Sequence, residues 1–143
     1  MVTDLDRAAA HRLLDAFNLR NPALVDEAVA PAFFDHAVPP GLPPGAESLK
    51  RFVDMLTEAL PDFRFTTELE VTEGDLLVTY GRASGTLTGS LFGGGPTGRH
   101  GSWPEVHIFR LADGRVVEHW DVIDQLALRM QLGIPLPAGP TAS

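Results

Sequence analysis

The chain has no cysteine and a single lysine, Lys50. The first absence removes disulfides, thiolate metal sites and cysteine nucleophiles, and says little about compartment. The second belongs to a charge imbalance: 11 basic residues against 19 acidic ones give a formal net charge of −8. Phosphate contacts need clustered Lys and Arg, so an acidic chain without a basic patch is a poor nucleic-acid binder. No stretch approaches 18 apolar residues, so no transmembrane helix is expected. The N-terminus MVTDLDRAAAHRLLDAF carries charges every few residues, unlike the apolar run of a secretory signal. These absences leave a cytoplasmic protein without nucleic-acid or membrane partners. The excess of Ala, Gly, Pro and Arg over Lys hints at a GC-rich bacterial genome.

What is present suffices for a fold. With 44% apolar residues in 143, the chain can bury one sizeable core. Thr3 or Asp4 caps a helix over about 4–19, with a core stripe through Ala8, Leu13, Leu14, Phe17 and Leu19. Asn21-Pro22 ends it, and Pro22 suits the first turn of a second short helix ending before Pro31. Residues 32–36, AFFDH, read as a short strand, followed by the Pro/Gly-rich loop VPPGLPPGA. A third helix is predicted from Glu47 to Leu60, stopped by Pro61. From Asp62 to Thr72 the period is two, with Phe63, Phe65, Thr67, Leu69 and Val71 on one face. A further strand spans Leu76–Thr88, a Gly-rich connection covers Gly89–Gly101, and a last helix covers Gln125–Leu132, capped by Asp124. Helices followed by a run of antiparallel strands make an α+β pattern, a curved sheet with helices on one face. A single domain over 1–135 and a flexible tail over 136–143 are expected.

The segment EVHIFRLADGRVVEHWDVID, residues 105–124, reads as an apolar hairpin carrying Glu105, His107, His119 and Asp121. Side chains on a strand alternate faces. If Ala112, Asp113 and Gly114 form a three-residue loop, Leu111 pairs with Arg115 and His107 with His119. Glu105 then lies opposite Asp121, with His107 and Asp121 diagonal, and all four share one face. A two-residue loop would shift the register by one and scatter them. In a concave interior, burial would raise the pKa of Asp121 and a protonated His107 would lower it. A carboxylate so placed can take a proton from carbon next to a carbonyl. Tyr80 and Trp103 are candidates to line the same space, and Arg82 to orient an acidic or carbonyl substrate.

The combination FFDHAVPPG, PTGR and GRVVEHWDVID followed by QLALRMQLG resembles the SnoaL-like polyketide cyclases of the NTF2-like superfamily. The resemblance runs from the first helix to Pro135. It implies a cone-shaped curved sheet around a pocket, and ring closure of a polyketide-like small molecule by intramolecular aldol condensation without a metal or organic cofactor. It maps the acid/base aspartate onto Asp121, after the Trp of the last strand, and a histidine onto His107. Asp35 and His36 of the first strand become pocket-lining or structural residues. His36, Tyr80, Arg82, Trp103, Glu105 and His119 are the expected substrate contacts. The other face of the hairpin, with Val106, Ile108, Trp120 and Val122, suits a homodimer or homotetramer.

Two tempting motifs fall short. GGGPTGRHG lacks the Lys-Ser/Thr ending of a phosphate loop and does not lead from a strand into a helix. No HxH or HExxH spacing supports a metal site. Fold alone does not fix the chemistry. An isomerase, an epoxide-opening cyclase and a non-catalytic binding or scaffold protein share the same residue pattern.

Overall fold

The computed structural model describes residues 1–39 and 41–140. Its elements are α1 (Asp4–Asn18), α2 (Ala23–Ala28), β1 (Val29–Asp35), α3 (Ala46–Ala59), β2 (Arg64–Glu73), β3 (Leu76–Thr86), β4 (His100–Ala112), β5 (Arg115–Ile123) and α4 (Gln125–Leu132). The five strands form one curved sheet in the order β1-β5-β4-β3-β2. The helices cover its concave face, and the sheet does not close. This is the NTF2-like cone. No helix among the described residues is long and apolar enough to cross a membrane. Pro40, in the Pro/Gly-rich loop, and residues 141–143, in the tail expected to be flexible, lie outside the described residues.

Helix α1 starts at Thr3, whose hydroxyl accepts from the Asp6 backbone N–H while the Asp6 carboxylate accepts from Thr3 N–H at 3.0 Å. This reciprocal pair satisfies two of the free N–H groups at the helix start. Asp6 also accepts from Gly114 N–H at 2.8 Å, tying the helix to the β4–β5 turn. These backbone donors, Thr3 foremost, hold the Asp6 carboxyl below its usual range. The buried stripe of α1 runs through Ala9, Ala10, Leu13, Leu14 and Ala16; Ala8 and Leu19 face outward. Phe17 packs on Phe52 of α3 and on Phe63, with ring centroids 5.9 and 6.2 Å apart.

Helix α2 stops at Ala28, earlier than the sequence suggests, because β1 already starts at Val29 and contains Pro31. A proline is tolerated there because β1 is an edge strand. β1 pairs in parallel with β5, so the sheet is mixed and not purely antiparallel.

Two bulges revise the simple alternation. In β2, Thr67 pairs with Gly81 and Leu69 with Tyr80, leaving Glu68 without a partner. Leu69 and Val71 therefore turn to solvent, 64% and 62% exposed, and Glu70 turns toward α1, where it meets Arg7 and His11. In the β4–β5 hairpin, Ala112 pairs with Arg115, Leu111 with Val116 and Arg110 with Glu118, leaving Val117 unmatched. The turn is thus a two-residue loop, with Asp113 and Gly114 at φ 53° and 72°, a geometry that glycine and aspartate tolerate.

The expected three-residue loop is therefore corrected, yet the polar groups stay together. The shorter loop shifts the pairing by one, and the bulge at Val117 shifts it by one more. Two shifts restore the parity, so His107 lies directly opposite Asp121 and His119 lies opposite Phe109.

Candidate active site

The inner face of β4 carries Trp103, Glu105, His107 and Phe109, all buried, while the intervening residues are half-buried. Beyond the bulge, β5 contributes His119, Asp121 and Ile123 to the same cavity. β1 adds Asp35, 2% exposed. The walls are apolar: Leu13, Leu14 and Phe17 from α1, Phe52 and Leu56 from α3, and Phe65 from β2. The cavity encloses about 670 Å³, within the range of small-molecule sites. Phe92 of the Gly-rich connection joins its lining.

On its floor, one hydrogen-bonded chain links residues from three strands. Trp103 Nε1–H donates to Glu105 Oε2 at 2.8 Å, and Glu105 Oε1 meets His107 Nε2 at 3.0 Å. His107 Nδ1 meets His119 Nε2 at 3.0 Å, and His119 Nδ1 meets Asp35 Oδ1 at 3.0 Å. Asp35 Oδ1 also accepts from Ala37 N–H at 2.9 Å. Both ring nitrogens of His107 are thus committed to protein partners. Phe65 closes edge-on over the His107 ring, with centroids 4.9 Å apart.

Asp121 stands apart from this chain. Its carboxylate makes no hydrogen bond among the described residues, though it lines the cavity beside both histidines. Burial pushes its pKa up; His107, then His119, pull it down by charge attraction, and Glu105 and Asp35 push it up further. The net direction is upward, toward the range of a working base. His107, His119 and Asp121 each offer an atom within 4.8 Å of the others, a group that can in principle hold a metal ion. A metal taking the facing nitrogens of the two rings would have to replace their mutual hydrogen bond.

Of the residues expected around the pocket, the structure brings Trp103, Glu105, His107, His119 and Asp121 together. His36, Tyr80 and Arg82 do not line the cavity. They lie on the outer face of the sheet, because the inward positions of β1 and β3 are their neighbours Asp35, Thr79, Gly81 and Ala83. His36 Nε2 contacts Glu118 at 2.8 Å and stacks on Trp120 at 4.5 Å. Tyr80 is half-buried opposite Val106. Arg82 is exposed and donates to Ser102.

Two charged cavity residues lie outside the expected catalytic and substrate contacts: Asp35, which the resemblance gives as pocket-lining or structural, and Arg51. Asp35 was available in the same Asp-His pair, and only strand parity separates it from His36. Arg51 on α3 lines the cavity, is exposed, and has no ion-pair or hydrogen-bond partner among the described residues. It lacks any local signal, because helix periodicity marks it merely as a surface position between core residues.

An NTF2-like cone with a buried acid/histidine floor defines a class of small-molecule pocket proteins. The comparisons narrow it. The family model for SnoaL-like polyketide cyclases matches residues 7–132, and the chain belongs to that family. It is 29% identical over 131 residues to nogalonic acid methyl ester cyclase of Streptomyces nogalater, covering 87% of this chain and 95% of that protein. Against the aklanonic acid methyl ester cyclase DnrD of Streptomyces peucetius, identity is 33% over 98 residues, 65% of each chain. Among solved structures, TsrD from Streptomyces laurentii superposes with a TM-score of 0.80 at 30% identity, covering 91% of this chain and 98% of that one.

Proposed function

We propose that the protein closes a ring in a polyketide-derived small molecule by intramolecular aldol addition, with Asp121 as base and then as acid. The observation that carries this reading is the Asp121 carboxylate. It is half-buried, faces an apolar-walled cavity, has no Arg or Lys partner among the described residues, and is backed by two histidines. A carboxylate needed only for folding would be paired; one left free in a cavity is available to a ligand.

In the proposed reaction Asp121 takes a proton from the carbon between two carbonyl groups, breaking one C–H bond. The enolate carbon attacks a second carbonyl of the same molecule, forming one C–C bond and an alkoxide. Asp121 returns its proton to that alkoxide. Because both nitrogens of His107 are engaged by Glu105 and His119, its role is electrostatic: it stabilises the negative charge that moves between carboxylate and enolate. The sequence is redox-neutral and its atoms balance without a cofactor. The apolar walls hold a flexible chain in a reactive fold, which can contribute several kcal/mol.

The relatives' names print the methyl esters of nogalonic and aklanonic acid, and the substrate class proposed here follows them: a polyketide-derived molecule bearing an ester or acid. Arg51 is the proposed contact for that group at the cavity rim. We also propose a cytoplasmic homo-oligomer paired through the outer sheet face, where Val122 is 65% and Phe34 45% exposed; sedimentation that gives a monomer contradicts this part alone.

The test is incubation of the purified protein with nogalonic acid methyl ester or aklanonic acid methyl ester. Aldol addition conserves mass, so the expected product has the substrate's mass and a different retention time. Unchanged substrate with both compounds, together with tight binding of either, would turn the reading toward a binding protein.

A further inference from the structure

The chain Glu105···His107···His119···Asp35 contains three heavy-atom contacts of 3.0 Å each. Every such contact needs one proton between its two atoms; with none, two lone pairs face each other. Two carboxylates and two imidazoles with no protons on these atoms carry four negative charges. Three protons bring the total to −1. With both carboxylates ionised, Glu105 accepts a hydrogen bond from His107 Nε2–H and Asp35 one from His119 Nδ1–H, which makes each ring a single-proton imidazole. The third proton then lies between His107 Nδ1 and His119 Nε2.

The ends of the chain favour this distribution. Glu105 already accepts from the indole N–H of Trp103, and Asp35 from the backbone N–H of Ala37. N–H donors favour the anionic form of a carboxylate. The excess proton therefore belongs to the two rings, which lie nearly parallel with centroids 5.3 Å apart.

We propose that His107 and His119 share one proton, trapped there by Glu105 and Asp35, and that this single positive charge is the counter-ion of the Asp121 carboxylate and of the enolate that replaces it. Glu105 and Asp35 are then positioning residues at opposite ends of one relay. The charged groups around the pair are Asp35 from β1, Glu105 from β4, Asp121 from β5 and Arg51 from α3; α1 and β2 present only apolar side chains to the cavity. Arg51 sits on the exposed rim, so the shared proton is the buried positive charge of the floor. The inference rests on the cyclase reading for its catalytic meaning, but the proton count itself does not.

The experiment is 15N NMR of histidine-labelled, chelator-treated protein without substrate, with Asp35→Asn and Glu105→Gln measured beside it. The wild type is expected to show three protonated ring nitrogens on the pair at neutral pH. Each variant is expected to lose the third at neutral pH. Two protonated nitrogens in the wild type would overturn the proposal. So would Co2+ at one equivalent broadening the His107 and His119 signals selectively, since an ion would then fill the gap. In turnover, each variant should move the acid limb of the pH–rate profile upward, because the rings are the dominant charged neighbours of Asp121. A lower rate with the limb in place would mark a merely structural role. NMR requires no turnover, so a failure of the cyclase reading and a failure of the proton count are separately visible.

Discussion

The two faces of the β4–β5 hairpin carry the same kinds of residue and differ in how each is compensated. On the outer face, Glu118 accepts from Arg110 at 2.9 Å and contacts His36 at 2.8 Å, and Arg110 also reaches Asp75 at 2.8 Å. Every charge has an opposite neighbour and water beside it. His36, then Arg110, hold the Glu118 carboxyl below its usual range. On the inner face no Arg or Lys among the described residues meets the floor. Two histidines face Asp121 there, and burial raises its pKa. An acid with an arginine partner in water becomes part of a solvated network. An acid with neither becomes reactive.

The sharpest break of this comparison is insertion of one alanine between Glu118 and His119, just past the bulge. The register downstream then slips by one, so His119 and Asp121 turn to the outer face and Trp120 and Val122 turn inward. The expected outcome is complete loss of cyclisation with a strongly destabilised or insoluble protein; retained turnover would show that parity does not position the site.

Next in size is Asp121→Asn. Removing a general acid/base group typically costs about 10²–10⁴ in rate, and kcat should fall by that order with little change in ligand affinity. The same substitution should stabilise the protein at neutral pH. A native carboxyl with a raised pKa binds more protons than the unfolded chain, so its ionisation costs stability as pH rises from the unfolded value of 3.8 through the folded one. The melting-temperature gain of the variant should therefore vanish below pH 3.8 and grow above it. A gain that is flat with pH would contradict the assignment.

Arg51→Gln comes third. A charge-assisted hydrogen bond at an exposed rim is worth less than the roughly 1.5–3 kcal/mol of a buried one. KM is expected to rise about 3–10-fold with kcat unchanged, read from steady-state kinetics. The smallest effect belongs to His36→Ala on the outer face. Exposed ion pairs contribute about 0–1 kcal/mol, so denaturant melts should shift by about 1 kcal/mol or less and kcat should not move.

The comparison also explains what was legible beforehand. The grouping of Glu105, His107, His119 and Asp121 follows from alternation, which survives because loop length and bulge shift the pairing by two in total. The route to it was not legible, since a bulge leaves no mark in hydrophobic pattern. The same blindness hid the bulge at Glu68, where Leu69 and Val71 look like core residues and face water.

In β3 the error is one of size. Tyr80 and Arg82 look suited to a pocket, while the inward positions hold small residues. At Gly81 a Cβ would lie 2.1 Å from the Thr66 carbonyl oxygen, so only glycine fits. Curvature presses β2 onto this strand, and crowding of that kind does not show in a linear pattern. Helix capping was readable at both ends of the chain. Thr3 starts α1, and Asp124 accepts from Ala127 N–H at 2.9 Å to start α4. These are local contacts between residues three apart, which is why sequence reveals them.

The most direct test of the central claim is hydrogen exchange at the substrate's α-carbon. Nogalonic acid methyl ester in D2O would be followed by proton NMR with wild-type protein and with Asp121→Asn. The wild type is expected to catalyse deuterium entry at the α-carbon alongside cyclisation, and the variant to do neither while still binding the ester. Equal exchange and equal ring closure by both proteins would show that Asp121 is not the base.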